Sequence, residues 1–264
     1  SLKLFILYWI DFLISIPQLK VIKSYSKILP FLFNENGPSN ETKLKNDVKI
    51  CLNCVQDNFI NNFSHYYKNY QINFEEVVMI IIEQCNSTIE NNKKYSLKFL
   101  HKILEGFGIL INGIIKEDKD TNQSHLLPGF TQGLFPNKIF PEILRTILNQ
   151  KRKEEQKKKE DALTMTLKSI VQEIPEEYLG LNLKDIEEVI KSSIVQKEDA
   201  SLENLIFWSE LLFRKYKNEL FSNIPEIINL YSETFPERNE KLLCQTNSVV
   251  RRRKLCFKKC LFKR

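Results

Sequence analysis

Two neighbouring stretches decide the fold, and they read Leu97-Lys-Phe-Leu-His-Lys-Ile-Leu104 and Phe140-Pro-Glu-Ile-Leu144. In the first stretch, apolar residues recur at intervals of three and four, which places them on one face of an α-helix. In the second stretch, a proline sits early, where its missing N–H and its fixed φ suit the first turn of a helix. The two stretches therefore predict a pair of successive amphipathic helices.

Similar pairs, each with a proline predicted to lie early in the second helix, occur on both sides of this segment. Phe5-Ile-Leu-Tyr-Trp-Ile-Asp-Phe-Leu-Ile-Ser-Ile-Pro17 precedes Ile28-Leu-Pro-Phe-Leu32, and Ile206-Phe-Trp-Ser-Glu-Leu-Leu-Phe213 precedes Ile224-Pro-Glu-Ile-Ile228. The pairs return at roughly 40 residues plus insertions, which is the period of HEAT and armadillo repeats. Such units bury their apolar faces by stacking on one another. The sequence therefore predicts an all-α, HEAT/armadillo-like solenoid of about ten helices in five pairs. The predicted helices span 2–16, 18–33, 43–63, 73–86, 94–111, 137–150, 154–174, 183–196, 201–217 and 220–234.

Composition and charge exclude several classes of protein. The 264 residues include 39 Lys+Arg and 33 Asp+Glu, but the last fourteen hold eight bases and no acid, so the rest carries a charge near −2. This argues against a nucleic-acid-binding fold with bases spread over one face. Only 7 glycines are present, which argues against glycine-rich phosphate loops. No apolar run is long enough for a transmembrane helix.

Turn-rich and charged stretches divide the chain into four parts. Residues 1–150 are predicted to be HEAT-like repeats with a polar insert at 116–137, and residues 151–181 a charged helix and linker. Residues 182–236 are predicted to be a further repeat, and residues 237–264 a basic tail whose folding stays open. Because the chain starts at Ser1 inside a predicted helix, we expect it to be a fragment of a longer protein.

Motifs for catalysis are missing from the sequence. There is no nucleophile elbow, phosphate loop, dinucleotide fingerprint or zinc-protease motif, and the three histidines, His65, His101 and His125, have unlike neighbours. Cys51-x-x-Cys54 lacks a second pair of ligands at matching spacing, so two small buried cysteines are the favoured interpretation. We therefore predict no catalytic residue, no cofactor and no metal.

In the basic tail, six of the bases lie in a segment that also contains leucine and phenylalanine. These are Arg251, Arg252, Arg253, Lys254, Lys258 and Lys259. Near anionic lipid each base contributes about 1 kcal/mol, so they are predicted to contact a membrane surface. The same residues could act as a nuclear address or an RNA contact, or the tail could be translated from non-coding sequence.

The collinear order of the apolar segments resembles the ArPIKfyve family, the HEAT-repeat scaffold of the PIKfyve phosphoinositide-kinase complex. The resemblance covers roughly residues 4–236 apart from the insert, and it rests on 5–17, 25–33, 48–63, 74–85, 97–104, 140–144, 205–212, 220–221 and 224–228.

The resemblance implies a non-catalytic scaffold that binds a lipid kinase of the PIKfyve type and its partner phosphoinositide phosphatase. It implies self-association and a cytoplasmic, peripheral location on endosomal, lysosomal or vacuolar membranes, where the complex supports synthesis of phosphatidylinositol 3,5-bisphosphate. The family's C-terminal region, which carries phosphatase binding and self-assembly, has no counterpart here, and the apolar pattern stops after Pro236. An unrelated HEAT/armadillo adaptor, such as a transport receptor or a phosphatase scaffold, remains the alternative. Less favoured rivals are a helical enzyme with a metal or thiol site and a nucleic-acid binder working through the tail.

Overall fold

The computed structural model describes residues 2–16, 19–37, 42–121, 133–148 and 162–195, and in the last third 207–208, 211–212, 214–216, 229–230 and 233. In these ranges every regular element is a helix, which confirms the all-α prediction. The helices are α1 (Leu2–Ser15), α2 (Ile22–Glu35), α3 (Thr42–Asn61), α4 (Phe63–Asn69), α5 (Gln71–Cys85), α6 (Glu90–Thr121), a π-helical turn (Phe135–Ile139) that leads into α7 (Phe140–Leu148), α8 (Ala162–Glu173), α9 (Glu176–Leu179) and α10 (Leu183–Val195).

The longer helices pack in two rows. In one row α1 contacts α3, α3 contacts α6, and α6 contacts α8; in the other α2 contacts α5, α5 contacts α7, and α7 contacts α10. Contacts of α2 with α3 and of α5 with α6 join the rows. Each helix thus packs on the equivalent helix of the next pair, which is the order expected of stacked helical hairpins. Four pairs are described in this way, and most of the fifth predicted pair, 201–217 and 220–234, lies outside the described residues.

Aromatic rings fill the centre of the core between the rows. Phe59 of α3 is fully buried, as its place in an i, i+3, i+4 apolar stripe predicts. Its ring centroid lies 4.9 Å from that of Phe74 in α5 and 5.7 Å from that of Phe99 in α6. Phe107 continues the cluster toward the π-helical turn, with its centroid 4.4 Å from that of Phe135. One cluster of rings therefore connects α3, α5, α6 and the start of α7.

A buried polar bridge fixes the end of α2 against the start of α6. The side-chain amide of Asn36 donates to Oδ1 of Asn92 at 2.7 Å, and Nδ2 of Asn92 donates to the carbonyl of Phe33 at 2.9 Å. Asn92 is 1% exposed. A buried polar group that loses its partner bears the full cost of desolvation, so this bridge specifies how α6 enters the core.

Replacing Asn92 by alanine is expected to lower the free energy of unfolding by about 2 kcal/mol, because it leaves a buried amide and a buried carbonyl without partners. Urea unfolding followed by circular dichroism measures this change. The neighbouring Asn91 is exposed, so Asn91→Ala serves as the matched control and should change stability by less than about 0.5 kcal/mol. Equal effects of the two substitutions would contradict the bridge.

The largest differences from the sequence prediction lie around the polar insert. The helix predicted to end at 111 continues to Thr121, six residues into the predicted insert. The hydroxyl of Tyr178 donates to Asp118 at 2.8 Å, and Ile114 is buried, so tertiary contacts support this extension. At the other side of the insert the chain is helical from Phe135, and residues 122–132 lie outside the described part. The short helices α4 and α9 were not predicted.

The proline positions agree only in part with the prediction. Pro141 is the second residue of α7, near its start as predicted. Pro30, however, lies inside α2 and not early in it, so the prediction was wrong for this residue. The ring of Pro30 is exposed, and because proline has no backbone N–H, α2 lacks one internal hydrogen bond at this residue. Packing of the buried Leu29 and Leu32 offsets this loss. Pro225 lies outside the described residues.

Candidate interaction surfaces

The basic tail falls outside the part of the chain that the structure describes. The predicted membrane contact therefore stays a prediction for all six bases, which are Arg251, Arg252, Arg253, Lys254, Lys258 and Lys259. The charged run at 151–161 and the tail boundary at 237 also lie outside the described ranges. Structural evidence on function therefore comes from the described helices alone.

The two cysteines of the Cys-x-x-Cys motif lie in the α1–α3 contact. The thiol of Cys51 donates to the backbone carbonyl of Leu7 in α1, with 3.4 Å between sulfur and oxygen. Burial raises the pKa of Cys51 to about 12, and burial together with a hydrogen bond to Asp11 raises the pKa of Cys54 to about 11. Thiolates bind metals and thiols do not, so this pair is suited to packing at neutral pH. In the described residues no group of three or more potential metal ligands occurs.

Thiol reactivity checks this interpretation. Cys51, Cys54 and Cys85 have pKa values raised to about 12, 11 and 12, chiefly because burial disfavours the charged thiolate. To observe these three thiols alone, Cys244, Cys256 and Cys260 are replaced by serine. In this variant we expect Cys51, Cys54 and Cys85 to react with a disulfide reagent at pH 8 about a hundredfold more slowly in the folded than in the unfolded protein. Fast reaction of any one of them in the folded protein would contradict the assigned environment.

Neither of the two described histidines, His65 and His101, forms a catalytic relay. The Nε2 atom of His101 lies 2.9 Å from the hydroxyl oxygen of Thr166 and 3.6 Å from a carboxylate oxygen of Glu105. Both partners contact the same nitrogen, whereas a relay needs the nucleophile on one nitrogen and the orienting carboxylate on the other. His65 is exposed, and His125 lies outside the described residues.

A groove of about 640 Å³ lies on the surface between α6 and α8. Its walls include the exposed side chains of Ile109 and Met165, and the carboxylates of Glu105 and Glu173 add charge. An apolar groove between two helices suits an amphipathic helix from a partner, which inserts side chains spaced three and four residues apart. This groove could not be found in the sequence, since its walls lie about 60 residues apart along the chain.

A second, more polar groove of about 290 Å³ lies where α5, α7 and α10 meet. Two ion pairs line it: Lys138 of the π-helical turn pairs with Glu75 of α5 at 2.6 Å, and Arg145 pairs with Glu142 within α7 at 2.8 Å. Asp185 and Glu188 also line it, so its ionisable side chains carry a net charge near −2. Exposed ion pairs contribute little to stability, and a basic partner segment can replace them at small cost.

Among the described residues, the largest group of exposed apolar side chains lies on α1. We call it the α1 aromatic face, and it consists of Leu2, Phe5, Tyr8, Trp9, Phe12 and Leu13. The opposite side of α1 is buried against α3 through Leu7, Ile10 and Ile14. The sequence predicted a helix with the stripe of Phe5, Trp9 and Phe12 on one face. The structure shows that this stripe is the side turned away from the core.

Comparison with known proteins found no family model, no curated protein and no solved structure that matches this chain. The fold therefore defines the class of the protein. What the structure defines is an all-α protein of helix pairs packed in two rows. In the described ranges no helix combines the length and the apolar character needed to cross a bilayer.

Proposed function

We propose that this protein is a non-catalytic helical-repeat scaffold, and that it organises a phosphatidylinositol 3-phosphate 5-kinase complex of the PIKfyve type. One observation carries the first half of the proposal: equivalent helices of successive pairs contact each other along both rows. This arrangement is typical of HEAT-like solenoids, whose extended surfaces bind partners. The second half rests on the resemblance of the apolar segments to the ArPIKfyve family.

The mechanism proposed is positioning of partners. The first groove lies between helices of one row, the second lies between helices of the other row, and the aromatic face lies on α1, so one chain offers several binding surfaces. Holding a lipid kinase and a phosphoinositide phosphatase on one scaffold raises the effective concentration of each at the same membrane. Synthesis and removal of phosphatidylinositol 3,5-bisphosphate would then occur together, and no residue of the scaffold takes part in the chemistry.

Affinity purification of the tagged chain from its source cell tests this proposal. Mass spectrometry of the bound proteins should find a lipid kinase of the PIKfyve type and a phosphoinositide phosphatase in amounts comparable to the bait. Cells expressing the tag alone provide the background. Recovery of a karyopherin cargo or a protein phosphatase, with no lipid kinase, would reject the proposal in favour of the unrelated adaptor.

Deletion of residues 251–264 separates membrane contact from partner binding. We expect the truncated chain to keep its protein partners, since the described helices end before this segment, and to lose binding to vesicles of phosphatidylserine and phosphatidylcholine. Removing eight bases at about 1 kcal/mol each is a large loss for an electrostatic contact. Vesicle co-sedimentation at two salt concentrations measures it. If deletion of residues 251–264 also abolished binding of the protein partners, the partners would bind through the tail and not through the described helices.

A further inference from the structure

The groove between α6 and α8 exposes apolar side chains on both of its walls. Ile109 of α6 is 75% exposed and Met165 of α8 is 55% exposed, and both line the groove. Its floor is apolar as well, since Leu104, Ile170 and Ile174 line it and are buried. Exposed apolar groups that lie together in a groove are typical of a binding site, because a partner that covers them removes apolar surface from water.

The helices α6 and α8 are parallel where they border the groove. The Nε2 atom of His101 lies 2.9 Å from the hydroxyl oxygen of Thr166. Seven residues further along α6, a Cβ at Gly108 would lie 3.7 Å from Cγ1 of Ile170, which is four residues further along α8. The residue numbers increase together on the two helices, so both run in the same direction. Because Gly108 has no side chain, the groove is open at its middle.

The charge of the groove comes from one acid toward each end. Glu105 lies three residues before Gly108 on α6, and Glu173 lies three residues after Ile170 on α8. At 1.5 Å per helical residue the two acids are therefore about 9 Å apart along the groove. Both are exposed, so their carboxylates are accessible to a partner. Among the described residues that line the groove there is no base, so a segment with two positive charges at this spacing complements it.

A helix is the form of partner segment that the groove accommodates. Its walls are side-chain surfaces of two α-helices, which direct their backbone N–H and C=O groups along their own axes. An extended segment therefore finds no row of backbone partners there, in contrast to the edge of a β-sheet. A helix satisfies its own backbone groups and inserts apolar side chains spaced three and four residues apart. Bases seven residues apart on such a helix lie about 10 Å apart along its axis, close to the separation of Glu105 and Glu173.

The same charges disfavour an anionic ligand. A phospholipid headgroup or a phosphorylated segment would meet the carboxylates of Glu105 and Glu173 without a base in the groove to offset them. Lys168, the one base of α8, points elsewhere. Its Nζ atom lies 4.9 Å from the ring centre of Phe207, which does not line the groove. The groove therefore selects a cationic segment.

We propose that the groove between α6 and α8 binds a basic amphipathic helix of a partner protein. Its apolar stripe packs on Ile109 and Met165, and two of its bases pair with Glu105 and Glu173. This inference rests on the scaffold function proposed above, because it states where on the scaffold one partner binds and by what chemistry.

Two synthetic helical peptides test the proposal on the full chain. Both carry leucines spaced three and four residues apart over about four turns. The basic peptide has two lysines seven residues apart beside the leucines, and the acidic peptide has glutamates in their place. Fluorescence anisotropy should show that the chain binds the basic peptide about tenfold more tightly than the acidic one.

Reversing the charge of the groove should reverse this preference. In the double variant Glu105→Lys with Glu173→Lys, we expect the acidic peptide to bind more tightly than the basic one. Glu76 and Glu83 are exposed on α5, are also seven residues apart and do not line the groove. The double variant Glu76→Lys with Glu83→Lys is therefore the matched control, and it should still prefer the basic peptide.

A neutral substitution tests the apolar contact. Ile109→Ser should weaken binding of the basic peptide about tenfold, because the complex then buries less apolar surface. Ile72→Ser on α5 removes an isoleucine that is also 75% exposed and lies outside the groove, so it should leave binding unchanged. Melting curves of all variants check that they fold, as expected for substitutions at exposed positions.

Several results would overturn the proposal. These are no binding of the basic peptide up to about 100 µM, and binding that the substitutions of Glu105, Glu173 and Ile109 leave unchanged. Binding that appears only after deletion of residues 251–264 would assign the groove to the tail of this chain, and a dimer that Ile109→Ser dissociates would assign it to a second copy. The scaffold function fails separately, since recovery of no lipid kinase in the affinity purification would leave peptide binding intact.

Discussion

Replacing Phe59 by alanine is expected to lower the free energy of unfolding by about 4 kcal/mol, the largest loss we foresee for a single substitution. The side chain is fully buried, and its ring contacts Phe63, Phe74 and Phe99 from three other helices. Alanine removes the buried ring and leaves a cavity among rigid neighbours, which cannot collapse to fill it. Since small domains are stable by only about 5–15 kcal/mol, the variant should melt at a much lower temperature.

Ile50→Ala on the same helix is the control for Phe59→Ala. Ile50 is 54% exposed, so its truncation should change stability by about 0.5 kcal/mol or less. Denaturant unfolding, followed by both circular dichroism and tryptophan fluorescence, gives the two free energies. A loss below about 1.5 kcal/mol for Phe59→Ala would show that the aromatic cluster is not the centre of the core.

A pair of glycine substitutions on α6 should have effects of opposite sign. A Cβ at Gly106 would lie 2.9 Å from the ring of Phe63, and that ring is held by Phe74 and Phe107 with centroids 5.1 and 5.0 Å away. The ring cannot move aside freely, so Gly106→Ala should destabilise the protein by about 2 kcal/mol. A Cβ at Gly113 meets nothing within 4 Å, so Gly113→Ala should stabilise the helix by about 1 kcal/mol.

The difference of about 3 kcal/mol between the two glycine variants is independent of how well alanine suits helices in general, because both positions lie inside α6. Thermal and urea unfolding of both variants measure it. Stabilisation by Gly106→Ala would mean that α4 does not approach α6 as closely as described. It would also remove the physical reason for the glycine at this position.

Helical periodicity predicted the parts of the fold in which one stripe is apolar and the rest polar. In α3, Val48, Leu52, Val55 and Phe59 all proved buried, because the pattern left only one face to bury. The short α4 was missed although its buried residues Phe63, Tyr66 and Tyr67 are spaced i, i+3 and i+4, because a helix of seven residues is too short for its periodicity to be recognised. The extension of α6 past residue 111 depends on the distant Tyr178, a contact that no local pattern reveals.

The surfaces were harder to predict than the helices. On α1 nearly every residue is apolar, so periodicity could not decide which side faces the core, and the aromatic stripe proved to be exposed. The grooves join residues such as Glu105 and Glu173, or Glu75 and Glu188, that come together only through helix packing. The lack of further ligands favoured burial of both Cys51 and Cys54; the structure buries Cys51, whereas Cys54 is only partly buried.

The proposed function of this chain is to hold other proteins together. Co-precipitation of the lipid kinase with the phosphoinositide phosphatase, from cells that contain the protein and from cells depleted of it, tests this function. We expect the two enzymes to co-precipitate only when the chain is present, and re-expression of the chain to restore their association. Undiminished association of the two enzymes in depleted cells would contradict it.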